Sequence, residues 1–417
     1  MRVLFVTIPE KTIFLPSVPL AWALRTAGHE VRVASQPSFT DVITQAGLTA
    51  VPVGRDADFW WDVKLDPALL EQARGGLPMP WAVAEDPAGA TGESMTEAYR
   101  GTVQHEQKPH NFPLIAGLVN FAREWRPDLI IWEPFTSAGS IAAKACGAAH
   151  ARLLWSADVF GAAREHFLRL QETPADPLGE WLAGYGRKYG FEFTEDMVTG
   201  QFTIHQLPPP IGVTAAGLHN VRMRYVAYGG PAAVPKWLWA PPEKPRVALT
   251  LGTTATDVFS GYAANVQDIL DALADLDIEV VATIAEAEQQ KLARVPANAR
   301  LVSFVPLHAL VPTCSAVIHH GGAGTLSTVA LHGVPQLALP YHFEGPLLGR
   351  TLTEHGAGLA IPSELGTGQA VRDALLRLLD EPTFRKRAEE LRDEMHELPT
   401  PNELVPQLEE LVAEHRP

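Results

Sequence analysis

The residues best equipped for chemistry in this 417-residue chain lie together in the run Val317-Ile318-His319-His320-Gly321-Gly322-Ala323-Gly324-Thr325-Leu326. An apolar stretch leads into the glycines and a helical pattern comes after them, so the run reads as strand, turn and helix start. Glycine lets a backbone approach a ligand closely. The first N–H groups of a helix are unpaired and carry a partial positive charge. Thr325 adds a hydroxyl, and a histidine can donate to a phosphate oxygen. Together these features make a seat for a diphosphate. No lysine follows the glycines, so the run is not a P-loop. No Gly-x-Gly-x-x-Gly follows the first apolar strand, so the dinucleotide fingerprint is missing too. The plainer alternative is a glycine-rich turn whose histidines serve structure.

Such a turn needs a parallel sheet to hold it. The chain alternates strand-like and helix-like segments twice, which predicts an α/β fold of two doubly wound, Rossmann-like domains facing across a cleft. In the first half, strands are expected at 2–7, 30–34, 49–53, 128–132 and 150–155, with helices at 16–27, 38–46, 114–124 and 137–146. In the second, strands are expected at 246–251, 279–284, 300–304, 316–319 and 336–339, with helices at 261–274, 324–332, 346–355 and 368–380. The expected domains are therefore 1–206 and 246–398, joined by a proline-rich linker at 207–245. A last helix within 399–417 is expected to pack back on the first domain. Residues 55–111 break the rhythm and read as an insertion of loops and short helices. Its Trp60 and Trp81 could line a pocket or simply pack on the sheet.

Composition narrows the partners. A formal charge of -15 repels nucleic acid and anionic membranes at long range. Hydrophobic residues at 46% and charged residues at 19% fit a soluble globular chain, and no run of 18 apolar residues could span a bilayer. Cys146 and Cys314 are far apart in sequence and form no Cys-x-x-Cys pair, so the expected compartment is the reducing cytoplasm. His105 and His110 stand isolated in the insertion, and His319 and His320 point opposite ways on extended chain, so no metal site is expected.

The run His319–Thr325, with Ala330-Leu331-His332-Gly333-Val334-Pro335-Gln336 and Glu354-His355-Gly356-Ala357-Gly358, resembles the family-1 GT-B glycosyltransferases. Val18–Arg25, Gly28–Ala34, Trp125-Arg126-Pro127-Asp128, Trp132-Glu133-Pro134 and His150–Trp155 narrow the likeness. They are similar to the actinomycete glycosyltransferases of macrolide, anthracycline and related polyketide pathways, such as the mycarosyl- and desosaminyltransferases. The likeness runs from Met1 nearly to Pro417. It implies an inverting transfer of a deoxysugar from a dTDP-sugar to a hydrophobic polyketide aglycone, with no metal or other cofactor. By resemblance, His320, Gly322, Gly324 and Thr325 contact the diphosphate, and Thr253 and Thr254 add hydroxyls near the phosphates or ribose. Val305, in Phe304-Val305-Pro306, offers backbone hydrogen bonds to thymine. Many relatives hold sugar hydroxyls with an Asp-Gln pair; here Glu344 keeps the acid and Gly345 replaces the amide, which suits a sugar with fewer hydroxyls.

One departure bears on catalysis. An alcohol is a weak nucleophile and needs a base. Most relatives carry a histidine in the first loop, where this chain has Pro9-Glu10-Lys11-Thr12-Ile13-Phe14. The matching position is Ile13, placed with Phe14, Trp60 and Trp81 among the expected acceptor-binding residues. Asp158 or Glu10 could serve as base instead, although an Asp after a strand often only caps the next helix. Other readings are a C-glycosyltransferase acting on an aromatic carbon, or a non-catalytic sugar-nucleotide-binding protein. Several relatives need a cytochrome P-450-like auxiliary protein bound to the first domain. Such a partner is expected here near residues 60–111, and a homodimer is a further expectation.

Overall fold

The computed structural model describes residues 1–416 except 59, 61–75, 172–173, 253, 258–260 and 342; of Thr254 and Asp257 only the backbone is described. Two parallel sheets organise the chain. The first runs β3-β2-β1-β4-β5-β6-β7, from β1 (Arg2–Val6), β2 (Glu30–Ser35), β3 (Ala50–Pro52), β4 (Leu129–Trp132), β5 (Ala149–Leu153), β6 (Phe202–His205) and β7 (Asn220–Arg222). The second runs β10-β9-β8-β11-β12-β13, from β8 (Arg246–Thr250), β9 (Glu279–Thr283), β10 (Ala299–Val302), β11 (Ala316–His319), β12 (Gln336–Ala338) and β13 (Gly358–Ala360). In both, the chain order reverses beside the first strand formed, β1 or β8. Such switch points open a crevice at the carboxyl ends of strands. Val3–Val6, Leu129–Trp132 and Val247–Leu249 are buried throughout, as strands covered on both faces must be.

The expected linker at 207–245 contains regular structure. Asn220–Arg222 pairs with β6 in register Thr203↔Asn220 to His205↔Arg222 and closes the first sheet. Short β-branched content between prolines hid this edge strand, which needs few ladder bonds. Among the described residues of the insertion, those from 92 onward are helical. Helix Gly92–Thr102 passes through a π-helical turn, Val103–Gln107, into helix Lys108–Trp125.

The C-terminal helix, Pro401–His415, lies on the first domain. Leu404, Val405, Leu408, Leu411 and Val412 are buried in the same cluster as Val3, Leu20, Leu24, Val33 and Leu129. His29 and Glu409 meet at 3.1 Å. Arg224, just after β7, anchors the approach to this helix through its backbone N–H to the Pro399 carbonyl (2.7 Å) and its side chain to the Leu398 carbonyl (3.1 Å). The chain thus crosses between the domains twice, side by side.

Candidate functional site: the interdomain cleft

Loops at the carboxyl ends of both sheets line one cleft with a cavity of about 540 Å³. From the second domain come Thr250, Gly252, Val305, His320, Gly322, Gly324, Thr325, Tyr341, Phe343 and Glu344. From the first come Glu10, Ile13, Trp60, Glu106, His110, Phe135 and Trp155; the crossing segment adds Tyr225 and Tyr228.

The glycine run sits between β11 and helix Ala323–Ala330, whose N-terminus no side chain caps. Its leading N–H groups therefore face the cleft available to an anion. His319 is structural. It is fully buried, its Nδ1 accepts the Gly321 N–H at 3.0 Å, and its Nε2 meets Gln336 Oε1 at 2.9 Å. Those partners assign the proton to Nε2. Burial lowers its pKa to about 3, so it is neutral. His320 faces the cleft, and burial lowers its pKa to about 4. It is a neutral donor rather than a cation.

Its ring is held by missing side chains. A Cβ on Gly322 would lie 2.4 Å from Nε2, and one on Gly252 would lie 2.8 Å from Cε1. Gly252 (φ 73°) and Gly321 (φ 85°) also occupy the left-handed region that favours glycine. Any larger residue at 252 or 322 must push the imidazole off the seat. Tyr225 locks the other side, its hydroxyl donating to the Gly324 carbonyl at 3.3 Å. Val305 is buried in the same wall beside exposed Phe304. Thr253 lies outside the described residues. Thr254 opens a short helix, Thr254–Asp257, after β8. Glu344 is buried at the start of helix Gly345–His355, and burial raises its pKa.

Between β12 and that helix, Phe343 has φ 43°, a conformation rare for a side chain of this size. Strain of this kind persists where surrounding contacts impose it. Here the ring reaches across the cleft to Phe135 (6.3 Å between centroids) and Phe160 (6.2 Å) of the first domain.

The acceptor-side expectations divide. Ile13 and Trp60 line the cleft. Phe14 does not; it is buried in the first-domain core, edge-on to Phe39 at 5.6 Å. Trp81 is likewise a core residue, packed behind the wall on Phe160 (4.7 Å) and Tyr99 (6.1 Å). An aromatic in an irregular segment is as easily a packing anchor as a pocket wall, and for Trp81 packing won. Glu10 lines the cleft, but its oxygens are engaged. Oε1 accepts the Thr12 N–H (3.1 Å) and hydroxyl (3.0 Å), and Oε2 accepts the Trp60 indole N–H (3.1 Å).

Asp158 is not brought to the cleft. It is wholly buried, pairs with equally buried Arg152 at 2.6 Å, and caps helix Val159–Leu170 by accepting the Gly161 N–H at 2.8 Å. This is the capping geometry; a carboxylate spent on a buried guanidinium and a helix start cannot reach an acceptor in the cleft. Glu133 caps the loop after β4 in a similar way, accepting the Phe135 N–H and the Thr136 hydroxyl. Burial pushes its pKa up to about 7.

The residues missed from sequence are Glu106, His110, Phe135, Trp155, Tyr225 and Phe343. Apart from Glu106 and His110, which lie four residues apart on one helical run, each comes from a separate segment, and no local spacing joins them. Among the described residues no group of three or more His, Cys, Asp or Glu could hold a metal ion, and no helix is long and apolar enough to cross a membrane.

Two parallel α/β domains, with a glycine-built anion seat facing an aromatic wall across their cleft, define a two-domain glycosyltransferase of the GT-B architecture. Residues 22–252 match the erythromycin biosynthesis protein CIII-like N-terminal domain, and residues 267–411 match the corresponding C-terminal domain. The chain belongs to this family of sugar transferases. It is 45% identical to 10-deoxymethynolide desosaminyltransferase of Streptomyces venezuelae, over 100% of this chain and 98% of that protein. It is 46% identical to aklavinone 7-beta-L-rhodosaminyltransferase of Streptomyces galilaeus, over 100% and 97%. The structure of glycosyltransferase VinC in complex with dTDP aligns with a TM-score of 0.87 at 37% identity, covering 99% of this chain and 100% of VinC.

Proposed function

We propose that this protein transfers a deoxysugar from a dTDP-sugar to a hydrophobic polyketide-type aglycone, with inversion at the anomeric carbon. The observation that carries the reading is the two-walled cleft: uncapped helix N–H groups and neutral His320 on one wall, aromatic and aliphatic groups on the other. The diphosphate seats on His320, Gly322, Gly324 and Thr325, where the helix start stabilises leaving-group charge. Thr253 and Thr254 contribute near the phosphates or ribose, and Val305 contacts the thymine. Glu344 holds a sugar hydroxyl, in keeping with relatives named as desosaminyl- and rhodosaminyltransferases. The aglycone lies against Ile13, Trp60, Phe135 and Trp155. In domain terms, 1–206 receives the aglycone and 246–398 the donor. A cytochrome P-450-like auxiliary protein docks on the first domain near residues 60–111, and the reaction runs in the cytoplasm without a metal.

Incubation with dTDP-deoxysugars and a panel of macrolactone and anthracyclinone acceptors tests this. The expected result is release of dTDP with a product heavier than the acceptor by one deoxysugar residue. Tight dTDP binding without product from any acceptor, with or without an auxiliary protein, would contradict it. The aliphatic Ile13 beside the acceptor wall supports a second reading, transfer to an aromatic carbon. An acid-stable product would favour that reading, and an acid-labile one the O-glycoside.

A further inference from the structure

We infer that His110 is the catalytic base toward the acceptor hydroxyl, with Glu106, one turn before it, as the carboxylate that positions and balances the imidazole. This rests on the transferase reading above. Both residues line the same cleft as His320 and Glu344, from the opposite wall. His110 is buried and Glu106 half-buried, whereas the neighbouring His105 is exposed on the far side.

The backbone explains why. The Lys108 N–H bonds the Val103 carbonyl, five residues back, which makes 103–107 a π-helical turn. A π turn adds one residue to the helix and re-aims the side chains beyond it, and such turns concentrate at functional sites. This one delivers Glu106 and His110 to the cleft wall and Gln107 and Asn111 to the loop after β4. Gln107 Oε1 accepts the Ser137 hydroxyl at 2.7 Å. Asn111 donates to the Phe135 carbonyl (2.9 Å) and accepts the Ala138 N–H (2.8 Å). His110 therefore sits between two buried clamps, its ring edge-on to Phe135 at 6.2 Å. A base held this way is preorganised by its supporting contacts.

Glu10 at the cleft, and Glu133 and Asp158 off its lining, are held by protein partners. Glu10 is tied to Thr12 and Trp60, Glu133 to the loop after β4, and Asp158 to Arg152. Glu344 belongs to the donor wall. In the step, an imidazole nitrogen of His110 takes the acceptor O–H proton as the oxygen bonds to the anomeric carbon. The bond from that carbon to the diphosphate oxygen breaks, its electron pair leaves with dTDP, and the imidazolium returns the proton to solvent. Glu106 offsets the positive charge meanwhile.

The test uses the full-length chain with a dTDP-deoxysugar and two acceptors, a macrolactone alcohol and an acidic nitrophenol. His110→Gln should lower kcat on the alcohol by about 10²–10⁴-fold, with dTDP affinity and melting temperature close to wild type. The deficit should shrink at least tenfold on the nitrophenol, which needs little help losing its proton. Added imidazole should restore part of the rate to His110→Ala. Glu106→Gln should move the acid limb of the kcat profile while leaving KM nearly unchanged. The assignment is overturned if His110→Gln stays within threefold of wild type. It is equally overturned if its deficit is the same on both acceptors and imidazole rescues nothing, or if Glu10→Gln alone abolishes transfer. A wild-type chain that transfers to neither acceptor, with or without an auxiliary protein, would instead defeat the transferase reading.

Discussion

The two walls of the cleft are built on different principles. The donor wall is local: nine consecutive residues, His319 to Ser327, supply a strand end, a glycine turn and a helix start. One structural histidine lies behind and one cleft-facing histidine in front. The acceptor wall is assembled. Glu10 and Ile13 come from the first loop, His110 from a helix after a π turn, Phe135 from the loop after β4 and Trp155 from the end of β5. A local site fails when its backbone geometry is disturbed. An assembled site fails gradually, contact by contact.

The largest expected effect is on the donor wall. Gly322→Ala places a methyl group against His320 and should lower kcat/KM by about 10²–10³-fold, the size of losing one anion-stabilising donor. Steady-state kinetics with a dTDP-sugar checks it. Wild-type kinetics in this variant would mean the wall is not the rigid unit described.

Next comes the C-terminal helix, which carries no ligand group yet closes the first domain. Leu408 is fully buried, so Leu408→Ala should cost about 2–5 kcal/mol of stability. Urea unfolding followed by tryptophan fluorescence reads this, and a loss below about 1 kcal/mol would show the helix to be an accessory.

Acid should unfold the protein through its buried histidines. The pKa values of His319 (about 3) and His205 (about 4) are depressed below the free value by burial. Folding therefore favours their neutral form. The stabilisation is intact above pH 6.5 and declines as pH falls toward 4, because the unfolded chain binds protons that the folded one cannot. At pH 5 the loss is on the order of 2 kcal/mol for each histidine. Denaturant midpoints at pH 7.5 and pH 5 measure it, and a flat profile would contradict these burial assignments.

Legibility followed the same divide. Long apolar strands and the glycine run could be read because their information is contiguous: β1, β8 and β11 fall within a residue or two of expectation. β7 and β13, each three residues long, fell below any periodicity. On the acceptor wall, composition could not say whether Trp60 or Trp81 would face the ligand, because burial there depends on which helix passes behind. His110 looked isolated for the same reason. Apart from Glu106, its companions arrive from other parts of the chain, and a π turn has no sequence period that announces it. Asp158 was open to two readings until Arg152, six residues earlier on β5, turned out to share its burial.

The smaller effects sharpen the contrast. Phe343→Leu removes one aromatic face from the contact between the walls and should raise acceptor KM by about 3–10-fold while sparing dTDP affinity. A change confined to donor binding would assign that ring to the wrong wall. The ion pair between Arg350 and Glu85 spans the domains at 2.7 Å but is partly solvated. Arg350→Ala should change stability by less than about 1 kcal/mol, measurable as a small shift in melting temperature.

The seat beneath the helix at residue 323 is tested most directly by calorimetric titration of dTDP into wild type, Gly322→Ala and His320→Ala. One dTDP should bind per wild-type chain, with affinity reduced at least tenfold in both variants. Absence of binding heat in wild type, or equal affinity in all three proteins, would contradict the account.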